Sequence, residues 1–144
     1  MIEEPACVFC LIASGKAAAY IVYEDDESIA FLDVHPLFPG HVLLCPRVHY
    51  ETLTDLPMSM AGPMMVKTQL LARAVEAALD AEGTFIAVNN RVSQTVPHLH
   101  IHVVPRRRRD GLKGFFWPRT PYRDEAARVA VCDSIQREVR KLLV

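Results

Sequence analysis

Long apolar runs are missing from this chain of 144 residues. None approaches the ~20 residues that a helix needs to cross a bilayer, which excludes a helical membrane span. Net charge is nearly missing as well. Sixteen Lys and Arg stand against 17 Asp and Glu, and 51% of residues are hydrophobic, which excludes the charged, apolar-poor composition of a disordered chain. The opening residues, "MIEEPACVFC", lack the basic-then-apolar pattern of a secretory signal, so a cytoplasmic protein is expected. Internal repeats and low-complexity linkers are lacking too, and the length suits one domain better than two. Cysteine is sparse, at four. In a reducing compartment these are expected as thiols or metal ligands rather than disulfides.

What is present reads as α+β. "YIVYE" (20–24) and "SIAFLD" (28–33) predict strands around the acidic turn Asp25-Asp26-Glu27, and "HVLLCP" (41–46) predicts a third. Met64, Thr68, Leu71, Val75 and Leu79 recur at three- and four-residue spacing, so residues 58–81 predict the main helix, with Gly83 as its stop and a possible kink at Gly62-Pro63. "FIAVN" (85–89) and "VPHLHIHVVP" (96–105) predict two further strands. Residues 106–121 read as irregular. Residues 124–143 predict a second helix with Val129, Cys132, Ile135, Val139 and Leu142 on one face. Strands, a helix, strands and a helix in this order indicate an antiparallel sheet.

Side chains alternate across a strand, so His98, His100 and His102 share one face, ~6.5–7 Å apart, while Leu99, Ile101 and Val103 enter a core. Pro97 and Pro105 bracket the segment, as prolines tolerated at strand ends do. Three imidazoles in register are costly to bury unpaired. Their chemical uses are metal ligation, acid–base work and nucleophilic attack. Cys7-Val8-Phe9-Cys10 is a Cys-x-x-Cys pair, open to a redox, metal-binding or bystander reading; the strand that precedes a redox pair in thioredoxin-like units is lacking.

"HLHIHVV" resembles the histidine triad signature of the HIT nucleotide-binding proteins, as do "CVFCLIASG", "VYEDDESIAFLD", "PGHVLLCPRVHYETLTDL" and "SQTVPHLHIHVVPR". The resemblance covers about residues 6–106 and implies a single domain over 1–144 with a C-terminal extension from 107. It implies a HIT-like fold, a five-stranded antiparallel sheet with two main helices, dimerising into a continuous sheet through residues 64–90. It makes His100 the nucleophile toward the α-phosphate of a nucleotide, with His102 a donor to the phosphate oxygens. Asn89, Gln94 and Thr95 match phosphate-contacting positions. Asp33 matches the acceptor for the ribose hydroxyls, and Val8, Phe9, Ile12, Phe31 and Val34 match an apolar slot for a purine base. By composition alone these five are equally core residues. In the zinc-binding branch, Cys7, Cys10, His49 and His98 form a closed, structural Zn2+ site. His41 matches a position near the site with no role derivable from sequence; His35 reads as a loop residue, and Cys45 and Cys132 as core.

The implied activity is hydrolysis of nucleoside phosphoramidates or dinucleoside polyphosphates. A nucleotidyltransferase and a non-catalytic nucleotide-binding or scaffold module are the alternatives. The chain departs from the pattern before the triad, where "NNRVSQ" lacks the glycine that relatives carry, leaving Arg91 or Ser93 as substitutes. The tail is individual. Residues 1–104 hold 5 Lys/Arg and 12 Asp/Glu, and residues 105–144 hold 11 and 5. The two parts either neutralise each other or present the tail to an anion. Arg106–Arg109 could bind nucleic acid, but no aromatic is interleaved with them. Alternatively Arg106 and Arg107, with Phe115, Phe116 and Trp117, reach the leaving group of longer polyphosphates.

Overall fold

The computed structural model describes residues 7–112 and 119–143. The chain forms two compact units, Met1–Asp110 and Gly111–Val144. The first holds α1 (Val8–Ala13), β1 (Ile21–Glu24), β2 (Ser28–Leu32), β3 (Val42–Pro46), a 3-10 turn (Leu53–Asp55), α2 (Met58–Leu79), β4 (Gly83–Ala87) and β5 (Ile101–Arg106). The second holds α3 (Glu125–Leu142). The five strands form one antiparallel sheet in the order β1-β2-β3-β5-β4, the fold the resemblance implies. No helix among the described residues is long and apolar enough to cross a membrane.

Both faces of the central sheet are covered, which is why β2 and β3 read as continuous apolar runs. Ala30, Val42, Leu44, Ile101 and Val103 face one way and pack with Leu99 on Met64, Leu71 and Val75 of α2. Ile29, Phe31, Leu43 and Cys45 face the other way and pack on Phe9, Cys10 and Ile12 of α1. Thr68 lies in the α2 interface at 0% exposure, its hydroxyl satisfied by the Met64 carbonyl at 2.8 Å. The face of α3 that carries Val129, Cys132, Ile135, Val139 and Leu142 is exposed.

Four boundaries differ from the sequence expectation. The Cys-x-x-Cys pair winds into α1, with the Cys7 sulfur capping it by accepting from Cys10 N. The main helix runs unbroken through Pro63 and ends at Leu79, where Asp80 at φ 51° takes the left-handed cap assigned to Gly83. Aspartate tolerates that conformation better than most side chains. Gly83 instead opens β4, two residues earlier than expected. The β5 ladder begins at Ile101 and includes Pro105, which therefore does not end the strand. Its pairing with β3 stops at Val103, so Pro105 has a strand neighbour on the β4 side alone, an edge-like setting where proline is tolerated.

Asp25 organises the β1–β2 turn. Its carboxylate accepts from Glu27 N, Ser28 N, the Ser28 hydroxyl and the Tyr23 hydroxyl, and Lys67 of α2 lies 3.0 Å away. Burial alone would raise its pKa, but the bonds from Lys67, Tyr23 and the two backbone amides outweigh burial and hold it well below the usual carboxylate range. A depressed carboxylate contributes stability above its unfolded pKa of about 3.9, and that contribution is lost as pH falls toward the folded value. Thermal melts of wild type should therefore lose more stability below about pH 4 than melts of Asp25→Asn. Parallel curves would assign the acid sensitivity elsewhere.

Candidate active site and metal centre

Sheet register builds the site. Leu43 of β3 and Ala87 of β4 both pair with His102 of β5. His41 stands two residues before Leu43, so it is the diagonal neighbour of His102 on the same face. Gly40, at φ +97°, brings the chain past the end of α2 into this position; a Cβ there would collide with the Leu79 side chain. His98 and His100 precede the ladder, but their rings stay on the face of His102: Phe9 of α1 touches both, and the His100 and His102 ring centroids are 4.9 Å apart.

Hydrogen bonds fix the neutral ring tautomers. The His100 Nδ1–H donates to the His98 carbonyl at 2.7 Å, which leaves the Nε2 lone pair as the reactive position. Leu37 N–H donates to His41 Nδ1 at 3.0 Å. His41 Nε2 therefore carries its proton, and donates it to His102 Nδ1 at 2.9 Å. His102 then presents Nε2–H as a donor. Asp33 Oδ2 lies 3.6 Å from the same His41 nitrogen, while its Oδ1 accepts from His35 N. Burial pulls the His102 pKa down to about 4, helped by His100 and His41 and opposed by Asp33. Burial likewise lowers His41, with Asp33 opposing. Both are neutral at pH 7, as the chain of donors requires. His41 is the residue sequence reasoning left without a role, because its partnership depends on a β3–β5 register that spacing does not reveal.

The second cluster is Cys7, Cys10, His49 and His98, whose four ligand atoms lie within 4.8 Å of one another. His98 Nε2–H donates to the Pro46 carbonyl at 2.8 Å, which turns the Nδ1 lone pair toward Cys7 Sγ at 3.4 Å and Cys10 Sγ at 3.5 Å. His49 Nδ1 lies 3.3 Å from Cys10 Sγ. Burial depresses the His98 pKa to about 4, so the ring is neutral as a metal ligand must be. Two thiols and two imidazoles with convergent lone pairs, and a backbone carbonyl orienting one ring from behind, fit a tetrahedral cation.

The remaining expected residues divide. Phe9, Ile12 and Phe31 are buried, whereas Val8 and Val34 are exposed. The first three belong to the core cluster beneath α1. Gln94 spends its side chain on the loop, accepting from Arg91 N and donating to the Glu51 carbonyl. Asn89 is half-buried just beyond β4 and Thr95 is exposed in the loop before the triad. That loop lacks glycine yet bends through left-handed Arg91 and Ser93, at φ 66° and 60°. Within the arginine cluster, Arg106 is half-buried and Arg107, Arg108 and Arg109 are exposed. Arg106 holds Asp110 in a two-pronged bond at 2.6 and 3.1 Å, Arg107 bonds the Leu79 carbonyl at the end of α2, and Arg108 pairs with Glu82. The Phe115–Trp117 cluster lies outside the described residues.

A five-stranded antiparallel sheet that presents a histidine row beside a Cys/His cluster defines a class of protein, and sequence comparison names it. A HIT domain model matches residues 14–109, and the chain belongs to the HIT family. It is 41% identical over 128 residues to a HIT-like protein of Mycobacterium tuberculosis, covering 85% of this chain and 89% of that one. It is 39% identical over 108 residues to the adenylylsulfatase HINT3 of Arabidopsis thaliana, covering 74% of this chain and 55% of that protein's length. Among solved structures, SMU.412c of Streptococcus mutans superposes with a TM-score of 0.86 at 32% identity, over 95% of this chain and 87% of that one. A zinc-bound histidine triad protein of Mycobacterium smegmatis superposes with a TM-score of 0.71 at 40% identity, over 90% and 97%.

Proposed function

We propose that the chain is a nucleotide hydrolase that cleaves at the α-phosphate through a nucleotidyl-histidine at His100. The observation that carries this reading is the fixed tautomer of that ring: Nδ1–H is committed to the His98 carbonyl, so the lone pair of the neutral ring lies on Nε2, the nucleophile. Nε2 attacks the α-phosphorus, a P–N bond forms, and the bond to the leaving group breaks with its electron pair. His102 Nε2–H, held by the His41 relay, donates to a phosphate oxygen as charge develops there. Water then displaces the His100 nitrogen and releases a nucleoside monophosphate. Asn89 and Thr95 are assigned as further donors to the phosphate on the strength of the family resemblance. Asp33 offers Oδ2 to the ribose hydroxyls, and Val8 and Val34 flank the purine slot. Gln94 acts by shaping the loop. Two different classes of leaving group fit an open α-phosphate site: the amine of a phosphoramidate and the phosphate of a dinucleoside polyphosphate. The similarity to an adenylylsulfatase adds sulfate as a third.

The Cys/His cluster would hold Zn2+ through Cys7, Cys10, His49 and His98, and the ion's chemistry there is structural: it pins α1 to the sheet. The test of function is a panel of adenosine and guanosine phosphoramidates, dinucleoside polyphosphates and adenylyl sulfate, scored for monophosphate release. Release from none of them, by protein of verified fold and metal content, would count against the hydrolase and favour a binding module.

The working form is a homodimer. β4 is a sheet edge paired only with β5, and beside it Met65, Val66, Leu70 and Ile86 are 62%, 66%, 49% and 41% exposed. An open edge beside an apolar patch is a liability that strand pairing with a second copy removes. Light scattering at micromolar concentration should give twice the chain mass. A monomer there would contradict it.

A further inference from the structure

We infer that Phe9 is a positioning residue that ties occupancy of the Cys/His metal site to the alignment of His100, so that the site gates the nucleophile as well as holding α1. The inference rests on the reading of His100 given above.

Phe9 lies between the two cysteines on a helix of six residues. A helix that short has no independent stability. Three things fix it to the sheet: the Cys–His cluster, the burial of Phe9 and Ile12, and Arg47 Nη1, which donates to the Ala13 carbonyl at 2.8 Å. The Phe9 ring meets three others nearly edge-on: His100 at 5.2 Å and 84°, His98 at 5.9 Å and 71°, and Phe31 at 5.3 Å and 65°. With 7% of its surface exposed, Phe9 is held firmly among these rings.

His100 is thus gripped from two directions. Its Nδ1 is held by the carbonyl of His98, itself one of the four ligands. Its ring is walled by Phe9, flanked by two more of them. Both grips run back to the same cluster. A bound cation would draw the four ligand atoms together; without it only the Cys–His contacts hold them. The turn of α1 that carries Phe9 then has one of its three anchors loosened, and with it a wall of His100. A nucleophile displaced by about 1 Å loses on the order of 100-fold in rate.

The test compares full-length wild type with Phe9→Leu, which keeps an apolar side chain but removes the ring. Protein labelled with carbon-13 at histidine Cε1 is followed by NMR at constant pH, the His100 signal being assigned by its disappearance in His100→Gln. Chelation should shift that signal in wild type and zinc chloride should restore it. In Phe9→Leu the signal starts displaced and responds little. In single-turnover kinetics at saturating substrate, Phe9→Leu and chelation of wild type should each lower the nucleotidylation rate by roughly 10-fold or more. Chelating the variant should add almost nothing, because both changes act through one contact. A metal-insensitive His100 signal in wild type would overturn the proposal. So would two independent, multiplying losses, or a loss seen only below saturation, which would make Phe9 a wall of the base slot. If Phe9→Leu does not fold with about one metal per chain, Phe9→Met, a flexible apolar replacement, takes its place. The NMR comparison needs no turnover, so it stands whether or not the hydrolase reading does.

Discussion

Replacing His100 by alanine lowers nucleotide hydrolysis by roughly 10³-fold or more, while nucleotide affinity changes by no more than a few-fold. The expectation follows from position. In the neutral tautomers, His100 Nε2 is the one triad lone pair committed neither to a hydrogen bond nor to the Cys/His cluster: His98 Nδ1 faces the sulfurs, His102 Nδ1 accepts from His41, and His102 Nε2 carries that ring's proton. Removing the ring removes the group that forms the covalent bond but leaves Phe9, Ile12, Phe31 and the acceptor Asp33. Steady-state kinetics beside calorimetric titration with a nucleoside monophosphate separates the two effects. Undiminished hydrolysis by this variant would remove the mechanism. Replacing His41 by asparagine should cost less, because its effect on the phosphate passes through the tautomer of His102.

Replacing Cys7 and Cys10 together by serine empties the metal site. Wild type should carry about one zinc per chain through purification, and the double variant close to none, since the closed set loses both thiolates. The apparent stability should fall by on the order of several kcal/mol, because metal binding to a site absent from the unfolded chain is folding free energy. Elemental analysis and thermal melts check both parts. Zinc content undiminished in the double variant would place the ion elsewhere.

Apolar patterning made much of the fold legible. β2 and β3 were legible as short continuous apolar runs, because both their faces are buried, β1 from its β-branched and aromatic residues beside the acidic turn, and α2 from buried side chains at every third or fourth position. α1 was not legible: six residues are too few for a period, and a cysteine sulfur is not among the usual caps. β4 was displaced because its limits are set by pairing with β5, from Gly83 opposite Arg106 to Ala87 opposite His102, rather than by its own composition. The Cys/His cluster that could hold a metal and the triad were legible as a resemblance, since Cys-x-x-Cys and the alternating histidines are short motifs. His41 was not, because it meets His102 across 61 positions of sequence. The partners of the arginines were hidden for a similar reason. Arg107 reaches a carbonyl 28 residues back, and a local run of charge carries no sign of that partner. Composition made Phe9 ambiguous between core and base slot, and its edge-on contacts with His98 and His100 were hidden in the sequence because they join residues about 90 positions apart.

The most direct measurement is the mass of the protein during turnover. Wild type mixed with a slowly hydrolysed adenosine phosphoramidate and quenched in the steady state should contain a species heavier by one adenylyl group. Peptide mapping should place that mass on His100, within "VPHLHIHVVP". An adduct on another residue, or hydrolysis with no adduct at any quench time while His100→Ala remains active, would contradict the account.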